Sequence, residues 1–497
     1  MIGVVITALF AIAAGATLAA TQAPPKAVAF AFSGPTVLPQ SGDTGGLTNT
    51  CYNPCGEPSM EVAPDGKTVY VSTPRTIVLC CNSKSSPVWN SPDGGRTWSS
   101  PSFPAAQESA TTGGDTQLMI DKRGTVYEGE LWLGDDSMYI STDRTKSWSF
   151  SPLSHHPGSD REWLVYSAKQ DALYAVYDDL NHGIQVIYAP LGTPAGSNAA
   201  LFAPVERTLF PEWNDCPGLL AGPCTPKPST VPDQLPDGTP LLQGTTSPGR
   251  PSIAPDGTIY ALAPFQTAGK GIVVGIGTPD ATTGIPTWKY SYVAGAGHGV
   301  FGDTGNDFPV SAVDQAGNLY VAWVENKGKG FQTFVSYSRD HAATWSTPIA
   351  LSTGISRTAV FPNIVAGAPG RVSVSWYGTN VADDPNNVPS TTRWNVYAAQ
   401  SINLLGRVPT FTVSTLQAGF HTGSICTHGL GCTGNSRYLL DFFDMKQDGQ
   451  GATMVVYTRD HRSKTEIAFS RQTAGCSLRA AGYGFNSAGK YVKLAGC

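Results

Sequence analysis

The chain has 497 residues, of which 55 are glycine and 38 proline, and only 14% are charged. Its 32 Lys and Arg against 37 Asp and Glu leave a net charge of −5 with no basic run, which argues against nucleic acid as a partner. A turn-rich, charge-poor chain with no long helical or heptad period reads as all-β.

Residues 1–20 are almost wholly apolar and end in small residues, as a secretory signal peptide does. No Lys or Arg precedes the apolar core, and the run is near spanning length, so an uncleaved N-terminal anchor is the alternative. No other segment reads as a membrane span. Residues 21–50 form a leader in which Ala27-Val28-Ala29-Phe30-Ala31-Phe32 alternates as a strand should.

From about residue 51 a larger unit repeats: a polar residue, a short apolar strand, an Asp-Gly-type turn, and a second apolar strand centred on an aromatic. Copies start at Glu57, Asp115, Asp160, Arg250, Asp307, Phe361 and Arg437. Seven such hairpins, each followed by a further strand or two, predict a β-propeller of four-stranded antiparallel blades over residues 51–472. The last unit lacks a clear fourth strand, which Val28–Phe32 could supply to latch the ring.

A second, shorter pattern sits after third strands. Ser91-Pro92-Asp93-Gly94-Gly95-Arg96-Thr97-Trp98 reads as a tight turn in which Asp93 accepts backbone N–H groups and the glycines supply positive φ. Ser141 to Trp148 and Ser338 to Trp345 keep its Ser, Asp and Trp, and Asp280 leading to Trp288 is a stretched copy.

Ten cysteines fit an exported protein. Cys216 with Cys224, Cys426 with Cys432 and Cys476 with Cys497 read as local disulfides, and Cys51, Cys55, Cys80 and Cys81 as crosswise pairs. Zinc at Cys426-Thr427-His428 competes, but no partner pair of ligands lies nearby. Residues 204–249 and 378–392 read as surface insertions, and residues 473–497 as a disulfide-stapled tail.

In a propeller the first strands start at one tunnel mouth and the second strands return to it, so the Asp turns lie at the opposite face. The mouth then gathers Glu57, Asp115, Asp160, Arg161, Arg250, Asp307, Arg437 and Tyr438 with Glu325 and Tyr377. Arginine forks suit anionic ligands, and carboxylates suit glycosidic acid–base work. The same residues could instead be ion pairs and strand caps closing a polar tunnel. Trp163 and Tyr174 read as blade packing.

The Ser-x-Asp-x-x-x-Thr-Trp octets resemble the Asp-box (BNR) repeat of the sialidase-like propellers, over roughly residues 50–470. That resemblance implies a secreted glycoside hydrolase of exo-sialidase type acting on an acidic or complex glycan. Carried over residue by residue, it implies Arg161, Arg250 and Arg437 as a carboxylate-binding triad; Asp307 and Tyr377 are substrate-binding candidates by their place at the mouth. Tyr438 with Glu325 would be the nucleophile couple, and Asp115 or Asp160 the acid. It implies no cofactor, no metal and a monomer whose partner is a glycan or glycoconjugate. Sialidases have six blades, where the hairpin count here favours seven. They also carry a Phe/Tyr-Arg-Ile/Leu-Pro motif at the first blade, where this chain has Glu57-Pro58. The second reading is a non-catalytic propeller that binds glycan or protein.

Overall fold

The computed structural model describes residues 28–39, 56–74, 85–104, 114–132, 135–152, 159–179, 183–191, 205–210, 238, 248–264, 271–297, 307–429, 432, 437–461 and 464–497. It is built of strands, and among the described residues no helix is long and apolar enough to cross a membrane. The signal or anchor segment, His155 and His156, and six of the cysteines lie outside the described residues.

Two short strands come first, β1 (Ala31–Phe32) and β2 (Thr36–Val37). Antiparallel meanders follow in chain order. The first holds β3 (Ser59–Val62), β4 (Val69–Ser72) and β5 (Val88–Ser91). The second holds β6 (Thr116–Ile120), β7 (Val126–Trp132), β8 (Asp135–Ser141) and β9 (Ser149–Pro152). The third holds β10 (Ser159–Ser167), β11 (Ala172–Asp179), β12 (Gly183–Pro190) and β13 (Val205–Phe210). Next come β14 (Gly249–Ile253), β15 (Ile259–Pro264), β16 (Ile272–Pro279) and β17 (Pro286–Tyr292). A parallel pairing at Arg250 and Val310 joins these to β18 (Val310–Val313), β19 (Leu319–Asn326), β20 (Phe331–Ser338) and β21 (Ile349–Ala350). The sixth meander is β22 (Thr358–Ala366), β23 (Val372–Thr379), β24 (Arg393–Ser401) and β25 (Thr412–Thr422). The last is β26 (Asp444–Gln447), β27 (Thr453–His461) and β28 (Lys464–Cys476), extended by β29 (Tyr483–Phe485) and β30 (Tyr491–Lys493).

The first strand of each meander lies against the first strand of the next, and β26 lies against β3, so these strands close into a ring. This is the arrangement of a propeller. Apolar side chains fill the spaces between successive sheets, as with Trp323 stacked on Phe334 and Trp376 on Tyr397. A sheet of three or four strands cannot bury both faces by itself, so stacking around an axis is what stabilises it.

The ring is fastened at both chain ends. Phe32 and Val37 pair with Gln472 and Ala468 of β28, and Trp89 Nε1 on β5 donates to Pro39 O at 2.8 Å. The alternating segment thus lies on the outer edge of the last meander and reaches across to the first. At the other end, Cys476 and Cys497 form a disulfide. Buried Arg371 donates from Nε to Ser477 O and from Nη1 to Cys497 O, both at 2.8 Å, so the tail spans the sixth and last meanders.

Asp-based turns set the hairpins. At the first-to-second-strand turns, Asp65, Asp121, Asp314 and Asp448 each accept two backbone N–H groups through Oδ1. The third-to-fourth-strand turns repeat the octet geometry. Asp93 Oδ1 accepts from Arg96 N at 3.0 Å and Thr97 N at 2.9 Å, Oδ2 accepts from Thr97 Oγ1, and Ser91 Oγ accepts from Gly95 N. Asp143 with Ser147 and Asp340 with Thr344 do the same, each with its own Ser anchor. Where the first turn has Gly94 and Gly95 at positive φ, the others force Arg144, Thr145, His341 and Ala342 there. The stretched copy turns differently: Asp280 Oδ1 accepts from Thr282 N at 2.9 Å and Thr283 N at 2.7 Å, two and three residues on.

Asp93→Ala is expected to cost about 1–2 kcal/mol, the usual worth of a side-chain cap on backbone donors, read by chemical denaturation. The carboxyl of Asp143 is held down to about 2, by the Ser147 hydroxyl first and the Ser147 N–H next. A depressed carboxyl contributes stability that is full above the ordinary Asp pKa of about 3.9 and is lost as pH falls. Acid melting curves of Asp143→Asn should therefore be flatter than wild type between about pH 4 and 2.

Cys426 and Cys432 also form a disulfide, so neither thiol is free for zinc. Thiol titration of the denatured, secreted protein should find two free thiols or fewer out of ten; a larger number would contradict the expected pairing of the other six.

Candidate active site: the axial mouth

The first strands do not enter the tunnel regularly. Glu57, Arg161, Phe361 and Leu440 sit just before or within first strands with φ of 43°, 52°, 56° and 55°. Register slips between Asp160 and Trp163, and between Val360 and Asn363, mark bulges. A bulge re-aims a side chain, and the one from Asp160 to Trp163 brings Arg161 to Glu57 and Asp115. Gly56 must be glycine, because a Cβ there would meet Leu439 O at 2.7 Å.

Arg161 is the centre of the resulting cluster. It is 3% exposed, and its guanidinium lies 4.3 Å from the ring centres of both Trp163 and Phe442. Its Nη1 is 3.4 Å from Glu57 Oε2 and 3.3 Å from Asp115 Oδ2. Glu57 Oε1 accepts from Asp441 N at 2.9 Å. Arg437 grips the Asp441 carboxylate with both nitrogens, one contact at 2.5 Å. Burial pushes the Glu57 carboxyl well up, the charges of Asp115 and Asp441 add to this, and Arg161 and Arg437 oppose it.

Asp160 is exposed at the rim. Although the residue as a whole is exposed, loss of water around the carboxyl pushes it up to about 7, the Asp115 charge raises it further, and Arg161 opposes. Its solvent contact places it where a ligand can reach a carboxyl that holds a proton near neutrality. Tyr438 is half-buried and follows Arg437 in the chain.

Below Arg161 the tunnel is plugged by Trp163, Phe308 and Phe442, with ring centres 5.1–5.7 Å from Trp163. Trp163 Nε1 donates to Pro248 O at 2.8 Å. Trp163 is thus an axial residue and not the blade packing expected of it. Arg250 lies against the plug, 4.8 Å from the Trp163 ring, and pairs with Asp444 at 2.5 Å and Asn363 Oδ1 at 3.1 Å. Further along, Lys446 pairs with Glu61 at 2.5 Å. A channel of about 360 Å³ continues there, lined by residues from β3, β6, β10, β14, β18, β22 and β26.

The structure therefore brings together Asp115, Asp160, Arg161 and Arg437, with Tyr438 next in the chain. Arg250 belongs to the deeper layer of Asp444, not to the pair formed by Arg161 and Arg437 around Glu57. Asp307 is fully buried and its Oδ1 accepts from Phe361 N at 2.8 Å, which makes it a strand cap between the fifth and sixth meanders. Tyr377 is core: its ring stacks on Phe443 at 4.3 Å and packs on Phe420 and Phe361, because its side of β23 faces the last sheet and not the tunnel. Glu325 is held by Lys327 Nζ at 2.5 Å, Gly297 N at 3.0 Å and Trp323 Nε1 at 3.1 Å; among the described residues no hydrogen bond links it to Tyr438.

Sequence reasoning passed over Asp441, Phe442 and Asp444. The sequence pattern starts the first strand at Arg437, whereas it begins at Asp444, which leaves Asp441 and Phe442 before it. Glu57 is legible among the residues gathered at the mouth, but not its role as the buried partner of Arg161 and of Asp441 N. A wider groove of about 1040 Å³ lies at the outer edge between β17 and the turn at His341 to Trp345. It lacks a carboxylate pair, so the chemistry points to the axis instead. Among the described residues no cluster of His, Cys, Asp or Glu could hold a metal ion.

No protein-family model matches the chain, and no curated protein matches it. Solved structures do resemble it. A GH93 α-L-arabinofuranosidase of Fusarium graminearum in complex with arabinobiose is 12% identical, with a TM-score of 0.43, covering 88% of this chain and 97% of its own. A PL25 ulvan lyase is 12% identical with a TM-score of 0.46, covering 88% and 93%. The NanB sialidase of Streptococcus pneumoniae is 12% identical with a TM-score of 0.41, covering 88% and 70%. At these values none of them assigns an activity or a site residue to this chain.

Proposed function

We propose that this chain is a secreted propeller of seven blades that cleaves a glycosidic bond at its axial mouth, with Asp160 as general acid and Asp115 as its carboxylate neighbour. The observation that carries the reading is Asp160: a solvent-facing carboxyl pushed up to about 7, beside Asp115, which Arg161 holds at 3.3 Å. Two carboxyls with different environments are what acid–base glycoside cleavage requires. Arg161, clamped by Trp163 and Phe442, positions Asp115, and Tyr438 stands at the rim as a contact for the sugar. The closed ring of first strands and the channel they share support seven blades. The two disulfides support an oxidising compartment. The Tyr438 and Glu325 couple of exo-sialidase chemistry is less favoured, since Glu325 is engaged by Lys327 and Trp323.

One observation favours the non-catalytic alternative. Arg161, Arg250 and Arg437 each already have a carboxylate partner, as a ring held by ion pairs requires. Hydrolysis of a panel of aryl glycosides, sialosides included, by the purified secreted protein separates the two. Release of aglycone from at least one member supports catalysis; glycan binding with no release supports the binding propeller.

A further inference from the structure

Resting on the reading of the mouth as a glycan site, we infer that it takes an uncharged glycan and turns away glycans bearing carboxylate or sulfate groups. The argument is one of charge and of geometry together. An anionic sugar needs a cation with an unused fork aimed at the entrance. Arg437 presents both terminal nitrogens to Asp441. Arg161 turns Nη1 to Glu57 and Asp115, and its flat faces lie against Trp163 and Phe442. Arg250, the next cation inward, packs on the same two rings and holds Asp444 through Nη1, while its Nε and Nη2 are buried away from solvent. Two further described cations are paired as well: Arg459 with Glu466 at 2.7 Å and Lys327 with Glu325 at 2.5 Å.

Against these stand Asp115, Asp160, Asp441 and Glu57, with Glu162 next to Arg161 in the chain. An entering carboxylate would have to expel Asp441 from Arg437 or Asp115 from Arg161. It would exchange one ion pair for another while lying beside the displaced carboxylate. A neutral sugar meets no such competition: its hydroxyls can donate to Asp115 and Asp160 with every arginine pair intact.

The test uses the full secreted protein on an array of oligosaccharides in matched pairs, each neutral member set beside its uronate, sialylated or sulfated counterpart. Neutral members are expected to bind at least ~10-fold more tightly at low salt, with the gap narrowing as ionic strength rises. Asp441→Asn frees the Arg437 fork and should raise binding of the carboxylated members selectively, while its melting temperature reports that it remains folded. Tighter binding of an acidic member than of its neutral counterpart by the wild type overturns the inference and leaves the glycan reading standing. Binding of neither kind overturns the glycan reading, and the inference falls with it. If Asp441→Asn is folded and binds carboxylated members no better, Asp441 is not what excludes them and the inference fails on that ground.

Discussion

Arg161→Ala should lower the stability of the protein by about 3–5 kcal/mol, the usual consequence of removing one partner of a buried ion pair. Three losses coincide. Two aromatic rings, 4.3 Å away on Trp163 and Phe442, lose the cation they pack on. Glu57 and Asp115 lose their counter-charge. The Glu57 carboxyl, already pushed up by burial and by neighbouring carboxylates, is raised further. A raised carboxyl holds its proton in the folded state when the unfolded state has released it, so stability falls as pH rises above the ordinary Glu pKa of about 4.3. The deficit of Arg161→Ala should therefore be larger at pH 8 than at pH 5. Glu57→Gln placed on top of Arg161→Met should recover most of it, because replacing both charges by groups of similar volume removes the unpaired carboxylate. Melting curves of the single and double variants at the two pH values decide this. A double variant no more stable than the Arg161 variant would mean that the pair is not the source of the loss.

Much of the fold was legible because its signals are local. The Asp93 and Asp143 carboxylates set turns by accepting from N–H groups three and four residues on, and Asp340 from the one four residues on, so the octet is visible in the sequence itself. The hairpins showed through period-two apolar runs around Tyr70, Tyr127, Tyr260 and Tyr320, all of which are buried. The site was legible to the level of which strand ends meet, and no further. Asp307 and Tyr377 stand at those ends, yet one caps a neighbouring strand and the other turns into the core. Which way such a residue points depends on irregular backbone at Glu57, Arg161, Phe361 and Leu440, where non-glycine residues take positive φ. No propensity rule marks them, because packing around the axis imposes the strain. Asp441 is equally non-local, since its meaning is its grip on Arg437 and its N–H bond to Glu57, 384 positions away.

The second large effect concerns turnover. Asp160→Asn should reduce the rate of glycoside cleavage by about 10²–10⁴-fold, the range associated with one general acid–base group. Folding should not suffer. The wild-type carboxyl is raised to about 7, so its ionisation opposes the folded state as pH rises from about 4 to 7. An amide removes that opposition, and the variant should melt at the same temperature as wild type or slightly above it at pH 8. A structural acid would behave differently, with melting and activity falling together. For aglycones that need protonation, the wild-type rate should decline above about pH 7 as Asp160 ionises.

The most direct measurement is therefore aglycone release from the aryl glycoside panel, followed against pH, by folded wild type and folded Asp160→Asn side by side. The predicted result is cleavage of at least one glycoside by wild type, with a fall in rate above about pH 7 that traces the Asp160 carboxyl, and near-complete loss in the variant. Equal rates in the two proteins, or no cleavage of any glycoside by folded wild type, would contradict an active mouth centred on Asp160.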